Sequence, residues 1–196
     1  MLKRIILVLT ASLFSVSLAW ATPTEEVKKT VDEVVRIVAD KELKKNEVKR
    51  RQSLKKAISV MFDYSEMAKR SLGKHWNVRT AGEKKQFAEL FATLLENSYA
   101  GKIESYNNEK IVYIKEIVED EFAEIKSKVV TASRDEFTLD YRLFKHEGKW
   151  MVYDVVIEGV SLVSNYRSQF NKIITASGYE KLVKKLQSKN EELKSP

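Results

Sequence analysis

The chain has 196 residues, and its 35 basic and 28 acidic side chains give a formal net charge of +7. It contains no cysteine, which excludes disulfide bonds and thiolate metal sites, so packing has to supply the stability of the fold. The excess of basic residues is compatible with an anionic partner, but lysines scattered along a chain more often form a solvated surface. Charge alone therefore assigns no function.

Residues 1–21 have the pattern of a secretory signal peptide. Two basic residues precede an apolar run over residues 5–18, and small residues lie around Ala21. The run is too short to span a bilayer comfortably. We expect cleavage after Ala21, export to the periplasm or beyond, and a mature chain, 22–196, that folds as a single α+β domain with a helical annex. Nucleic acid is not expected as a partner of an exported protein.

Helical spacing of apolar residues dominates the next part of the chain. Four helices are predicted, over residues 22–43, 46–62, 63–73 and 80–106. The first and the fourth begin with a capping box, formed by Thr22 with Glu25 and by Thr80 with Glu83. Asp63 is the expected N-cap of the third helix. These signals fix where the helices start better than where they end.

From Lys110 the apolar pattern changes from helical to alternating spacing. Four strands are predicted near residues 110–118, 121–133, 135–146 and 149–158, with turns at "SRDE" and "HEGK". Two more helices follow, one on each side of Gly178. Helices, a meander of strands and further helices predict an α+β fold in which helices cover one face of a curved, four-stranded antiparallel sheet.

The sequence offers little catalytic chemistry. Of the two histidines, His146 lies in a predicted hairpin turn, and His75 has no carboxylate or second histidine at metal-ligand spacing. No nucleophile elbow and no glycine-rich phosphate loop is present. We therefore expect no enzyme activity, no metal and no cofactor. Asp154 is either an inward acid with a raised pKa or an ordinary structural residue, and we favour the structural role. Glu158 is expected to accept hydrogen bonds from the free amides of the following helix.

Large apolar side chains are the strongest signal in the sequence. Aromatic residues on the predicted strands and helices would converge on the concave side of the sheet, namely Phe91, Tyr99, Phe137, Tyr141, Trp150, Tyr153, Tyr166 and Phe170. Periodicity does not distinguish a filled core from a lined cavity. The pattern alone is compatible with a filled core and with a lined cavity.

Three blocks of the sequence resemble the MlaC family of periplasmic phospholipid-binding proteins, also known as toluene-tolerance or auxiliary ABC-transport components. They are "FDYSEMAKRSLGKHW", the pattern T-x-x-E-x-x-x-F-x-x-x-F-x-x-L-L from Thr80 to Leu95, and "W-x-V-Y-D-V-x-I-E-G-V-S-L-V-x-N-Y-R-x-Q-F". The resemblance extends over roughly residues 25–188. A related branch associated with hopanoid biosynthesis is not separated from it by sequence.

The resemblance implies an NTF2-like fold with an apolar pocket between sheet and helices, which takes phospholipid acyl chains and leaves the headgroup outside. The residues expected to line this pocket are Phe91, Leu94, Leu95, Tyr99, Val112, Ile114, Ile125, Val129, Phe137, Leu139, Tyr141, Leu143, Tyr153, Val155, Ile157, Val160, Val163 and Tyr166. The basic residues Lys69, Arg70, Lys74 and Arg79 would face a phosphate or an acidic docking surface, or else form solvated surface.

The resemblance also implies partners. A monomeric shuttle would pass phospholipid between an MlaA-like outer-membrane lipoprotein with a porin and an MlaD-like MCE protein of an inner-membrane ABC transporter. Two other functions stay open. One is an NTF2-like enzyme for a small apolar substrate, with Asp154 as base and Tyr141 or Tyr153 as donor. The other is a periplasmic adaptor that binds a partner protein and no lipid.

Overall fold

A computed structural model describes residues 21–194, so the predicted signal peptide lies outside the described residues except for Ala21. The helices are α1 (Pro23–Ala39), α2 (Lys41–Lys44), α3 (Glu47–Ser59), α4 (Tyr64–Leu72), α5 (Ala81–Glu104), α6 (Leu162–Ser177) and α7 (Tyr179–Lys194), with a short 3-10 turn at Gly73–His75. The strands are β1 (Lys110–Glu119), β2 (Phe122–Val130), β3 (Glu136–His146), β4 (Lys149–Ile157) and β5 (Val160–Ser161).

The helix starts predicted from capping boxes are confirmed. At the start of α1, Thr22 N donates to Glu25 Oε2 at 2.8 Å and Glu25 N donates to Thr22 Oγ1 at 3.3 Å. Thr80 and Glu83 form the same pair of bonds at the start of α5. Each box satisfies backbone N–H groups that have no partner inside the helix. These side chains therefore define where α1 and α5 begin.

The boundary between the first two predicted helices differs from the expectation. α1 ends at Ala39, because Asp40 accepts hydrogen bonds from Glu42 N and Leu43 N and so starts the separate helix α2. Asn46 then caps α3. Apolar residues continue at helical spacing on both sides of Asp40, so the sequence pattern shows no break there. The backbone nevertheless changes direction at the Asp40 cap.

The five strands form one open antiparallel sheet in the order β1-β2-β3-β4-β5. The predicted α+β fold is confirmed, with one strand more than expected. The extra strand arises because Glu158 and Gly159 have φ values of 49° and 75°, as in a type I′ two-residue turn. The chain therefore folds back onto β4, pairing Ile157 with Val160, before α6 begins.

Asp154 joins β4 to the helix that follows the sheet. Its buried carboxylate accepts hydrogen bonds from Ser161 Oγ at 2.6 Å and from Val163 N at 3.0 Å. Ser161 Oγ also accepts from Ser164 N at 3.0 Å, so the two side chains together cap α6. Arg142 Nη1 lies 3.3 Å from the same carboxylate. Asp154 thus has the structural role that the sequence favoured.

The expectation that Glu158 caps this helix is wrong. Its carboxylate accepts hydrogen bonds from Thr138 N and, at 3.2 Å, from Thr138 Oγ1 on β3. The type I′ turn delays the start of α6 to Ser161 and leaves Glu158 exposed at the turn. Asp154, which precedes the turn on β4, reaches the helix start instead.

The buried apolar side chains form three separate clusters. They are the helical cluster of α4 to α7 (around Phe87, Phe91 and Phe170), the sheet cluster of β2 to β4 with α1 (around Ile125, Leu143 and Val152), and the α1–α3 cluster (Ile37, Val38 and Leu54). Half-buried Phe62 packs against both the helical and the sheet clusters. The apolar core is therefore divided between the helices and the sheet, with Phe62 as a contact between them.

We predict that Asp154→Ala lowers the free energy of unfolding by about 2–3 kcal/mol, because it leaves Val163 N–H buried without an acceptor. Urea denaturation followed by circular dichroism measures this loss. Glu158→Ala is the matched control, since its carboxylate is exposed, and it should cost less than about 1 kcal/mol. Equal losses in the two variants would show that Asp154 does not anchor α6.

Candidate functional site

The sheet has an inward face that packs on α1. Side chains paired directly across antiparallel strands lie on the same face. Ile125 pairs with Tyr141, and Tyr141 pairs with Val155. All three residues contribute to the sheet cluster together with Val27 of α1. The side of the sheet that carries them is therefore the inward face, and the opposite side is the outer face.

One end of the inward face carries apolar side chains that are incompletely covered. By register, this open end consists of Ile111, Val129, Phe137, Leu139, Ile157 and Val160. Phe137 is 37% and Val160 is 58% exposed, Ile111, Leu139 and Ile157 are half-buried, and Val129 is buried. Adjacent apolar side chains left uncovered on one face commonly mark a binding surface. The open end is therefore the candidate site.

The other end of the inward face is closed. Ala123, Leu143 and Val152 are buried there, beneath Val27 of α1 and Met61. Two backbone hydrogen bonds hold this cover in place, from Val152 N to Met61 O at 2.8 Å and from Asp63 N to Val152 O at 3.0 Å. The contrast between the two ends limits the space for an apolar ligand to the open end and the region beside it.

The helical residues predicted to line a pocket are mostly inside a packed core. Phe91, Leu94, Leu95 and Val163 are buried in the helical cluster. Tyr99 and Tyr166 are half-buried and pack against that cluster, and burial raises the pKa of both phenols. The Tyr166 ring meets the Phe91 ring edge-on, with centroids 5.1 Å apart. Of the predicted helical residues, these two tyrosines thus keep accessible surface.

The predicted residues of the sheet divide between the two ends of the inward face. Ile125, Tyr141 and Leu143 are buried in the sheet cluster, Leu139 and Val155 are half-buried against it, and Val129, Phe137, Ile157 and Val160 lie outside it. Leu139 therefore belongs to the open end and also touches the packed core. Whether these residues contact a ligand stays a prediction.

The inward placement of Val112 and Ile114 is wrong. Val112 pairs with Lys128 on the outer face, Ile114 occupies a bulge, and the two residues are 41% and 61% exposed. The first half of β1 is apolar at both odd and even positions, so alternation does not decide which set points inward. The inward set is Ile111 and Tyr113. Sequence reasoning misses Tyr113 for this reason.

Tyr153 also lies on the outer face. β4 has a bulge at this residue, because Val152 and Asp154 are paired with adjacent residues of β3 while Tyr153 has no partner. The Tyr153 ring packs edge-on against Phe122, and the Arg70 guanidinium lies 3.9 Å from its centroid. The inward prediction fails because a bulge reverses the alternation of side chains after it.

Of the residues of the catalytic alternative, Asp154 and Tyr153 lie on one face of the sheet and Tyr141 lies on the other. Tyr141 points inward, whereas Asp154 pairs with Arg142 on the outer face. The Asp154 carboxylate is already engaged by Arg142, Ser161 and Val163 N. Tyr141 and Asp154 lie on opposite faces of the sheet and therefore cannot act on the same substrate atom. Tyr153 shares the outer face with Asp154, where its ring is packed against Phe122 and the Arg70 guanidinium.

The four basic candidates lie in the helical layer. Lys69 Nζ and Arg70 Nε contact the Glu66 carboxylate at 3.0 and 2.8 Å. Arg79 Nη1 lies 3.1 Å from Glu83 Oε1. Lys74 is exposed on the 3-10 turn. Ion pairs of this kind within one helical layer are common on protein surfaces, and a role for these residues in headgroup binding or docking stays a prediction.

A second cleft, of about 1050 Å³, lies between α1, α3 and the start of β4. Its apolar lining includes Ile37, Ala57, Met61 and Trp150. The α1 wall is charged along its length, with acidic and basic side chains interspersed. Acyl chains have no polar groups to match such a wall, so the open end of the inward face is the better apolar site.

Within residues 21–194, no group of histidine, aspartate and glutamate side chains could hold a metal ion. No helix in the same range is long and apolar enough to cross a membrane. His75 Nε2 lies 2.9 Å from Asn171 Oδ1, which ties the 3-10 turn to α6.

The fold and the site define a small α+β domain whose sheet packs its apolar inward face against α1 and contacts α4 and α6 through its outer face. The family model of MlaC protein matches residues 28–188, and the chain belongs to the MlaC family. The resemblance found in the sequence is thereby confirmed over nearly the same range.

Known proteins similar to this chain carry related descriptions. The intermembrane phospholipid transport system binding protein MlaC of Haemophilus influenzae is 29% identical over 121 residues, which span 59% of this chain and 56% of that protein. Toluene tolerance protein ttg2D of Pseudomonas putida is 25% identical over 181 residues, or 90% of this chain and 84% of that protein.

A solved structure shares the fold. It is the phospholipid-binding protein from Ralstonia solanacearum in complex with a phospholipid, with a TM-score of 0.82 and 27% identity. The superposition covers 89% of this chain and all of that chain. The similarity therefore extends over both the sheet and the helices.

The buried phenol of Tyr141 makes the protein sensitive to alkali. Burial raises the pKa of Tyr141 above its usual range, so the folded state keeps this proton at a pH where the unfolded state loses it. The free energy of unfolding should therefore fall above pH 10, by up to about 1.4 kcal/mol per pH unit for this group. Tyr141→Phe should have a shallower decline in urea titrations between pH 9 and 11.5. An unchanged slope would contradict this reading.

Proposed function

We propose that this protein is a soluble periplasmic carrier of phospholipid, which holds acyl chains between the inward face of the sheet and the helices. The observation that carries the proposal is the open end, an uncovered apolar surface on the face of the sheet that packs against α1. The likeness to a phospholipid-binding protein in complex with a phospholipid, at a TM-score of 0.82, supports phospholipid as the ligand.

The energetics of such a carrier follow from the size of the ligand. Two acyl chains contain about 30 methylene groups, and burying them gives a gross gain of roughly 24 kcal/mol, at about 0.8 kcal/mol each, before the costs of binding. Release into water would be very slow. Delivery therefore requires a partner that offers the chains another apolar site.

A carrier of this kind needs no reacting group. Asp154 is engaged in holding α6 and lies on the opposite face from Tyr141. Tyr153, on the same face as Asp154, is packed against Phe122 and the Arg70 guanidinium. We therefore propose binding without catalysis. Membership of the MlaC family supports, as partners of a monomeric shuttle, an MlaD-like MCE protein of an inner-membrane ABC transporter and an MlaA-like outer-membrane lipoprotein with a porin.

A negative charge at the open end should abolish lipid retention. Leu139→Glu and Phe137→Glu place a carboxylate against the acyl chains, which costs more than any remaining contact gains. We expect at least about a tenfold fall in phospholipid occupancy, measured by native mass spectrometry on protein purified without detergent. Phe137 is already partly exposed, so its variant tests the site with little effect on folding.

Val112→Glu is the matched control, since Val112 lies on the outer face of the same sheet. It should keep wild-type occupancy, and all three variants should keep their helical circular dichroism. A hopanoid adduct in place of phospholipid would assign the chain to the sister branch. A wild-type protein that is empty and cannot be loaded from vesicles would overturn the carrier and favour a lipid-free adaptor.

A further inference from the structure

One buried polar atom on the inward face has no partner in the described chain. The Tyr113 hydroxyl oxygen is inaccessible to solvent and contacts no hydrogen-bonding group of residues 21–194. The residue as a whole is only half-buried, so the hydroxyl end of the side chain is its best covered part. A buried hydroxyl without a hydrogen bond lowers the stability of the folded state, and native proteins seldom contain one without a structural or functional reason.

Tyr113 lies at the border between the packed core and the open end. It faces Ser127 across the β1–β2 ladder, and it packs against the sheet cluster. The Ser127 hydroxyl donates to Leu139 O and makes no hydrogen bond with Tyr113. Ile111 lies two residues earlier on the same face of β1 and belongs to the open end. Tyr113 is therefore the inward residue of β1 next to the open end, to which the acyl chains are assigned.

The phenol is a donor at neutral pH. Burial, together with the negative charge of Asp32, raises the pKa of Tyr113 to about 12. The hydroxyl therefore keeps its proton, and it needs an acceptor within the apolar site. Acyl chains themselves offer none. The acceptors that a diacyl phospholipid carries next to its chains are the carbonyl oxygens of the two ester linkages.

We propose that the Tyr113 hydroxyl donates a hydrogen bond to an ester carbonyl of the bound lipid, and so selects ester-linked over ether-linked lipids. The inference rests on the proposed carrier function and adds the chemical class of cargo. The ether analogue has the same chains and headgroup but lacks the carbonyl oxygen, so binding it leaves the hydroxyl unpaired. A site built around a polar partner rejects a ligand that lacks it.

The test is a competition between a diester phospholipid and its diether analogue, with identical chains and headgroup, presented to the full-length mature protein in mixed vesicles. Native mass spectrometry gives the ratio of the two adducts. We expect the wild type to favour the diester about fivefold, and Tyr113→Phe to bring the ratio close to one. Tyr179→Phe is the control, because its hydroxyl donates to Glu83 O within the helical layer, and it should keep the wild-type ratio.

Infrared spectra of lipid labelled with ¹³C at the carbonyls provide a second readout. The carbonyl band should shift to lower frequency in the wild type and lose that shift in Tyr113→Phe. Equal loading of the two lipids by the wild type, or an unchanged preference in Tyr113→Phe, would overturn the inference while leaving the carrier intact. Failure of the wild type to load either lipid would overturn the proposed function as well.

Discussion

The hydrogen bonds of the Asp154 carboxylate connect the two layers of the molecule. They fix the first turn of α6 to β4, and α6 carries Phe170 into the helical cluster. Two further contacts join the layers. The Phe62 segment packs on both clusters and is bonded to the backbone of Val152, and the Arg70 guanidinium of α4 lies over the Tyr153 ring of β4. A few specific contacts, rather than one continuous apolar core, therefore set the spacing between the sheet and the helices.

The divided core suits a protein that has to hold an apolar ligand. The helical cluster is closely packed, with the Phe87 and Phe91 rings each meeting Phe170 edge-on at 5.6 and 5.5 Å between centroids. It supplies stability that disulfide bonds cannot supply in a chain without cysteine. The apolar side chains at the open end are costly to leave uncovered in the empty protein. Burying them against acyl chains offsets that cost.

Much of the fold could be predicted from the sequence because its signals are local. Capping boxes at Thr22 and Thr80 and the change from helical to alternating spacing depend on neighbouring residues, and they gave the α+β class. The site depended on longer-range geometry. The face of β1 was ambiguous because Ile111 and Val112 are both apolar, and the bulge at Tyr153 leaves no mark in the pattern. Periodicity also could not separate buried helical residues from lining ones, because a helix presents the same apolar stripe in both cases.

The bulge in β1 has a consequence for the behaviour of the molecule at high concentration. β1 is the edge of an open sheet, and its outward side chains include the exposed Val112 and Ile114. A flat apolar edge strand invites pairing with the edge of another copy, the first step towards fibrils. The bulge at Ile114 interrupts the regular row of backbone donors and acceptors, and Lys110 and Lys115 add like charges to the strand. The bulge in β1 thus protects this edge of the sheet against self-association.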